Sequence, residues 1–157
     1  MRRRAFITGA VALTTLGACQ MRPVLAPYQG QQLRMQLPDP GNRLNFLVNR
    51  SLLERINHDP QATQKLTYSV SSSRRSVGTR DQIHAKLSYQ LRDHSDPDNL
   101  VTLSEGTVQA LVSFRDAGGT LTELVAENDG TVRYTAILAD RMYDKIARDL
   151  QLRRAAP

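Results

Sequence analysis

The sequence predicts an α+β domain, a two-layer sandwich in which two helices cover one face of a four-stranded, mainly antiparallel sheet in the order β-α-β-β-β-α. Three observations predict it. Four segments alternate apolar and polar residues with a period of two, the signature of half-buried strands. Two segments place apolar residues on one helical face. Each strand then has one apolar face and each helix one apolar stripe, and helices laid on one side of a sheet bury both.

The elements follow in chain order. Leu33, Met35 and Leu37 alternate with Arg34 and Gln36 in a short first strand. Asp39-Pro40 supplies an N-cap candidate followed by proline at a first helical position. Leu44, Leu47, Val48, Leu52 and Ile56 then share a helical face, with Arg43, Asn49, Arg50 and Glu54 off it, and the helix should end near Asn57. Leu66, Tyr68 and Val70 mark a second strand, Arg74 to Arg80 a basic turn, and Ile83 to Arg92 the clearest strand of the chain. Asp93 to Asn99, with Pro97, reads as a hairpin turn.

In the next strand Val101 and Leu103 have one parity, and Val108, Ala110, Val112 and Phe114 the other. A bulge at Glu105-Gly106 would restore the core face. Gly118-Gly119 should end this strand, and Thr120-Leu121-Thr122-Glu123 matches a capping box. A long helix is marked by Leu121, Leu124, Val125, Val132, Ala136, Ala139, Met142, Tyr143, Ile146 and Leu150. Gly130 inside it costs about 1 kcal/mol relative to alanine, which leaves starts at Thr120 and Asp129 both open.

The first residues belong to processing. Met1-Arg2-Arg3-Arg4 precedes an apolar run from Ala5 to Leu16, then Leu16-Gly17-Ala18-Cys19. A positive start, an apolar stretch and small residues before a cleavage point describe a secretory signal over 1–18. The run falls short of the roughly 20 apolar residues a membrane span needs. Leu16-Gly17-Ala18-Cys19 resembles the bacterial lipobox, which implies cleavage before Cys19 and lipid attachment to its sulfur. Cys19 is the single cysteine, so it has no disulfide partner in the chain. Several acyl chains on one residue give a nearly permanent anchor, since each buried methylene contributes roughly 0.8 kcal/mol. Gln20 rather than Asp after that cysteine resembles lipoproteins sorted to the outer membrane. Residues 19–32, with Pro23, Pro27 and Gly30, read as a lipidated tether, 33–152 as the domain and 153–157 as a tail.

Without residues 1–18, which hold three arginines and no acid, 18 basic residues face 15 acids, a balance of +3 instead of +6. That mild excess, with few aromatics and no tryptophan, argues against nucleic acid as a partner. A chain this short suits one domain that folds without disulfides.

On a lipoprotein precursor, this element order resembles the LptE family of lipopolysaccharide-assembly lipoproteins, in its alphaproteobacterial form. Met21-Arg22-Pro23-Val24-Leu25 is similar to the start that follows the cysteine there. Leu47-Val48-Asn49-Arg50-Ser51-Leu52-Leu53-Glu54-Arg55 is similar to the first helix. Tyr89-Gln90-Leu91-Arg92-Asp93, Ser104-Glu105-Gly106-Thr107 with Val112-Ser113-Phe114, and Leu138-Ala139-Asp140-Arg141-Met142 are similar to later strand and helix text. Each piece is short, and the specificity lies in their order over residues 19–152. Gln20-Met21 and Asn128-Asp129-Gly130 depart from the family pattern. The resemblance implies a non-catalytic protein without cofactor. It would plug and help assemble the LptD β-barrel of the outer membrane and assist delivery of lipopolysaccharide to the outer leaflet. A different class, weighed beside it, is an auxiliary lipoprotein of a phospholipid-trafficking ABC transport system.

A lipopolysaccharide contact would need clustered cations for the lipid A phosphates, and arginine offers a planar donor fork. The best cluster is Arg74, Arg75 and Arg80. The resemblance implies that a basic residue near this tip contacts lipopolysaccharide, with Arg74 or Arg75 in the comparable place. A second basic position of the family falls on Ala126 and is not carried over. Reversing the charge of Arg74 and Arg75 should then weaken binding without unfolding the domain. Without a ligand, the same charges would keep a sheet end soluble.

Other constellations carry less. His58, His84 and His94 lack metal-ligand spacing. Asp93, Asp96 and Asp98 match no calcium loop and suit a turn. No serine sits in a nucleophile elbow, so an envelope hydrolase has no catalytic set. Tyr134 and Tyr143 read as core or partner-facing side chains.

Overall fold

The computed structural model describes residues 33–78, 80–115 and 120–155. The expected signal, the tether, Cys19, Gly118-Gly119 and the Thr120 cap side chain lie outside the residues or side chains described. The elements are β1 (Arg34–Met35), α1 (Arg43–Leu53), β2 (Asn57–His58), β3 (Gln64–Val77), β4 (Arg80–Asp93), β5 (Val101–Arg115) and α2 (Thr120–Ala155). The architecture is α+β, with both helices on one side of the sheet.

The sheet differs in one respect from the expected four strands. β3, β4 and β5 form a three-stranded antiparallel sheet, while β1 pairs in parallel with the additional short strand β2. A single parallel bridge, Gln36 to Lys65, joins the pair to the edge of β3. Because β1 runs parallel to β3 at its start, Leu33 lies at the end of the sheet opposite the β3–β4 hairpin. β2 was hidden because Asn57 and His58 are both exposed and carry no alternation.

β3 and β4 pair without interruption from Gln64–Asp93 to Val77–Arg80, so Arg74 and Arg75 are strand residues, and the expected basic turn shrinks to the loop at Gly78. Gly78 has φ +61°, a left-handed conformation that costs glycine nothing. Between β4 and β5 the register shifts at Leu91/Arg92, where Ser104 and Thr102 pair and Leu103 is skipped. The bulge is therefore at Leu103 and not at Glu105-Gly106. The inward positions just after it hold Ser104 and Gly106, which are not apolar, and so the change of parity appears in the sequence later than it occurs.

The core combines Leu66 of β3, Ile83, Ala85, Leu87, Tyr89 and Leu91 of β4, Val108 and Ala110 of β5, and both helices. α1 contributes Val48 and Leu52, and α2 Tyr134, Leu138, Met142 and Ile146, each at most 2% exposed. The cap of α1 is Asn42, whose side chain accepts from the Asn45 amide at 2.9 Å, and not Asp39. The helix ends at Leu53, four residues earlier than expected, and Ile56 is buried beyond it. Asn49, expected off the apolar face, is buried. Its Nδ2 donates to the Pro38 carbonyl at 2.8 Å, and the Tyr68 hydroxyl meets its Oδ1 at 2.6 Å. These bonds tie α1 to the chain before it and to β3. Burial pushes the Tyr68 phenol well above its ordinary range.

α2 begins at Thr120, the earlier of the two expected starts, and continues to Ala155, into the segment expected to be a tail. Gly130 is buried, and a methyl group there would lie 3.5 Å from the Phe114 ring and 3.6 Å from Ile83. The expected apolar stripe of the first turns is corrected. Leu121, Leu124, Val125 and Val132 are exposed, and the inward positions ahead of Gly130 are occupied by Glu123 and Glu127, which face Arg74. Among the described residues, no helix is long and apolar enough to cross a membrane.

Candidate functional site

The pleat divides the three arginines that the sequence grouped. In β3 Arg74 has the parity of Leu66, Tyr68 and Val70, so it points to the helix side. Arg75 has the parity of Ser71 and Ser73, so it points to the side no helix covers. Arg80 shares that open side, being paired with Val77, diagonal to Arg75. The structure therefore brings Arg75 and Arg80 together and sends Arg74 elsewhere.

Arg74 is engaged by protein. Its guanidinium bonds Asp81 and Glu123 and reaches Glu127 Oε2 at 3.3 Å. It also lies 5.5 Å from the centroid of the Phe114 ring. The Asp81 carboxylate is buried and held well below its ordinary range, by the Ser76 hydroxyl and by Arg74. The hydrogen bonds from Arg74 to Asp81 and Glu123 in turn push the guanidinium up, so it stays charged. Arg74 thus fastens the start of α2 to β3 and β4. Substituting Glu for it would set a fourth carboxylate among three, so the charge reversal expected to leave the fold intact is confined to Arg75 and Arg80. Glu123 and Glu127 were not legible as partners, because nothing local in the sequence joins them to residue 74.

Arg75 and Arg80 are exposed and form no ion pair among the described residues. The open face continues from them with Ser73 opposite His84, Ser71 opposite Lys86, and the apolar Leu111 opposite His84. A shallow hollow of about 530 Å³ lies here, lined by Ser71, Ser73, His84, Lys86, Gln109 and Leu111, and by Arg141 of α2, with no carboxylate. Arg141 donates to the Gln109 carbonyl at the outer edge of β5. A second, more open hollow of about 610 Å³ follows along the strands, lined by Thr67, Ser69, Ser88, Gln90, Glu105 and Thr107, among others. His84 and Lys86 were present in the sequence as the polar half of the clearest strand, whereas Arg141 was invisible without the packing of α2.

The remaining candidates take structural roles. The Leu37 amide approaches His58 Nδ1 at 3.4 Å, while His84 lies on the open face and the His94 amide donates to Thr63. The described residues hold no group of three metal-ligating side chains. Asp93 and Asp96 accept from the amides of Ser95 and Asp98, each at 3.0 Å, as turn residues do. Tyr134 and Tyr143 are buried in the core.

No family model matches the sequence. No curated protein matches it. The fold is similar to solved structures. A Caulobacter crescentus protein described as a lipoprotein has a TM-score of 0.60 at 20% identity, over 78% of this chain and 93% of that one. A minor lipoprotein of Acinetobacter baumannii has a TM-score of 0.51 at 17% identity, over 78% and 91%. At these identities the likeness establishes the fold.

Proposed function

We propose that the protein is a lipid-anchored outer-membrane lipoprotein of the LptE type, which plugs and helps assemble an LptD-like β-barrel and assists delivery of lipopolysaccharide. One coincidence carries the reading: the α+β domain shares its fold with two proteins described as bacterial lipoproteins, and it follows a segment, Leu16-Gly17-Ala18-Cys19, that resembles a lipobox. The face of the sheet away from the helices is mostly polar, with Val77 and Leu111 as its exposed apolar side chains, which suits the polar interior of a large barrel. Arg75 and Arg80 supply the cations for lipopolysaccharide phosphates at the hairpin end.

The test is co-purification from detergent-solubilised envelope. Tagged full-length protein should bring down a large outer-membrane β-barrel. Recovery of a transporter ATPase and permease instead would replace this reading with the phospholipid-trafficking one. Metabolic labelling with palmitate should mark the parent protein and not Cys19→Ser. Arg75→Glu with Arg80→Glu should weaken capture of lipopolysaccharide, with an effect that shrinks as salt is added.

A further inference from the structure

We infer that the free edge of β3 is a pairing surface for a second copy of this chain, which lays its own β3 antiparallel across a two-fold axis at Ser72 and joins the two sheets into one. The inference goes beyond the reading above and does not rest on it.

The two edges of the sheet are finished differently. Over β5, Arg141, Lys145 and Arg153 of α2 donate to the carbonyls of Gln109, Glu105 and Thr102, the last two at 3.3 and 2.8 Å. The bulge at Leu103 interrupts the same edge. Long cationic side chains and bulges keep an edge strand from pairing. β3 runs from Gln64 to Val77 with no bulge and no proline. Only its start is covered, where the Gln36 amide donates to the Gln64 carbonyl and the Leu66 amide to the Gln36 carbonyl. Those bonds show that the even-numbered residues turn their N–H and C=O groups away from β4. Beyond Leu66, the outward groups of Tyr68, Val70, Ser72, Arg74 and Ser76 have no partner among the described residues. Every residue from Ser71 to Val77 is exposed, whereas β4 beside it is buried at every second position.

The unpaired stretch is symmetric about Ser72. An antiparallel copy centred there sets Ser72 on Ser72, Val70 on Arg74 and Tyr68 on Ser76, and each such pair exchanges two hydrogen bonds. All the outward groups from Tyr68 to Ser76 are then satisfied on both copies. An axis at Arg74 would oppose two guanidinium groups and leave Tyr68 and Val70 unpaired, and an axis at Val70 would leave Arg74 and Ser76 unpaired. With the axis at Ser72 the open face sets Ser71 on Ser73 and Arg75 on Ser69, so no cation meets another, as a stable cross-strand register requires. The contact also closes. Because β5 is guarded, each copy has one edge to offer, and a two-fold assembly stops at two.

α1 adds apolar surface beside the seam. Asn49, which meets the Tyr68 hydroxyl, has Phe46 and Leu53 as its neighbours on the helix surface, three residues before and four after. They are 55% and 51% exposed, next to the strand that forms the seam.

The experiment is light scattering of the full-length protein in detergent over a dilution series, with the detergent mass subtracted. The parent should pass from two copies to one on dilution. Ser72→Pro should raise the midpoint concentration at least about tenfold, because two hydrogen bonds at the axis are lost. The Ser72 N–H points away from β4, so no bond of the β3–β4 ladder goes with it, and proline is tolerated at such edge positions. Ser72→Lys, at an exposed position, opposes two ammonium groups on the axis and should weaken pairing in the same direction with an unchanged thermal melt. Under mild oxidation Ser72→Cys should link two copies beyond the level of the parent, since hydrogen-bonded partners stand about 5.5 Å apart at Cα, within reach of a disulfide. Thr107→Cys, on the guarded strand, should not. A parent that is one copy at every concentration overturns the inference. Equal association of the parent and both Ser72 variants, as two anchors sharing a micelle would give, overturns it as well, and so does linking through Thr107→Cys as readily as through Ser72→Cys. Barrel co-purification decides the plug reading separately.

Discussion

The Tyr68 hydroxyl of β3 sits 2.6 Å from Asn49 Oδ1 on α1 and 2.9 Å from the Asn45 carbonyl, so one phenol fastens the first helix to the edge strand of the sheet. Asn49 completes the link through its own bond to Pro38. Tyr68→Phe should cost about 1 kcal/mol and Asn49→Ala about 1–2 kcal/mol, because the second leaves two partners short. Thermal melts should fall by a few degrees in each case. The double variant should lose less than the sum of the two singles. Strict additivity would mean the two side chains do not share a network.

Asp81 makes the stability of the hairpin end dependent on acid. Its folded pKa lies below the ordinary carboxylate value of 3.8, through Ser76 and Arg74. A group whose pKa is depressed by folding stabilises fully above its ordinary value, and loses that contribution as pH falls towards the folded one. Melting temperature should therefore drop steeply below about pH 4 in the parent. Asp81→Asn should start lower at neutral pH and show a shallower acid slope. A parallel pair of pH profiles would remove Asp81 from the account.

Arg74→Gln should loosen the first turns of α2 while the rest of the helix holds. Those turns expose Leu121, Leu124 and Val125 and are tied down by the Arg74 bonds to Glu123 and Glu127, and by a bond from Arg43 to Asn128. Hydrogen exchange should quicken over residues 121–127 and stay slow from Tyr134 onward. Uniform quickening along the helix would contradict a local fastening.

At Gly130 the helix gains from a methyl group and suffers from anything larger. The nearest atoms to a Cβ there are at ordinary van der Waals distance. Replacing an interior helical glycine by alanine contributes up to about 1 kcal/mol. Gly130→Ala should raise the melting temperature by a few degrees, and Gly130→Leu should lower it by pushing α2 off Phe114 and Ile83. A fall with alanine would show that the helix cannot accommodate even one carbon.

By contrast, Arg55→Ala should change little. Arg55 meets Asp140 at 2.8 Å, and both side chains are more than a third exposed. Such pairs contribute roughly 0–1 kcal/mol, so a melt within two or three degrees of the parent is expected.

Wherever the core is apolar and periodic, the architecture could be read ahead of the structure. The alternation from Ile83 to Leu91 is the inner face of β4, and of the expected α2 stripe Ala139, Met142, Tyr143, Ile146 and Leu150 are buried. Reading failed where polar residues occupy inward positions. Asn49 sits in the core because Pro38 and Tyr68 satisfy it, and Ser104 because it donates to Asp149 at 2.6 Å. It failed again where a fastening is made across long sequence separations, as from Arg74 to Glu123. The candidate site was half legible. Arg75 and Arg80 were found as a basic cluster, but only the strand pairing separates them from Arg74 and sets them in line with His84 and Lys86.

The position of Leu33 gives the molecule a polarity of its own. The chain enters at one pole, beside β2, and the hairpin loop at Gly78 marks the other. A strand of 14 residues lies between them, a span of roughly 40–45 Å at about 3.3 Å per residue. That exceeds the hydrocarbon thickness of a bilayer, about 30 Å. The domain is thus a ruler about as long as a whole bilayer, headgroups included, is thick. A surface to which its entry pole is moored is held a full strand length away from the hairpin end where Arg75 and Arg80 lie.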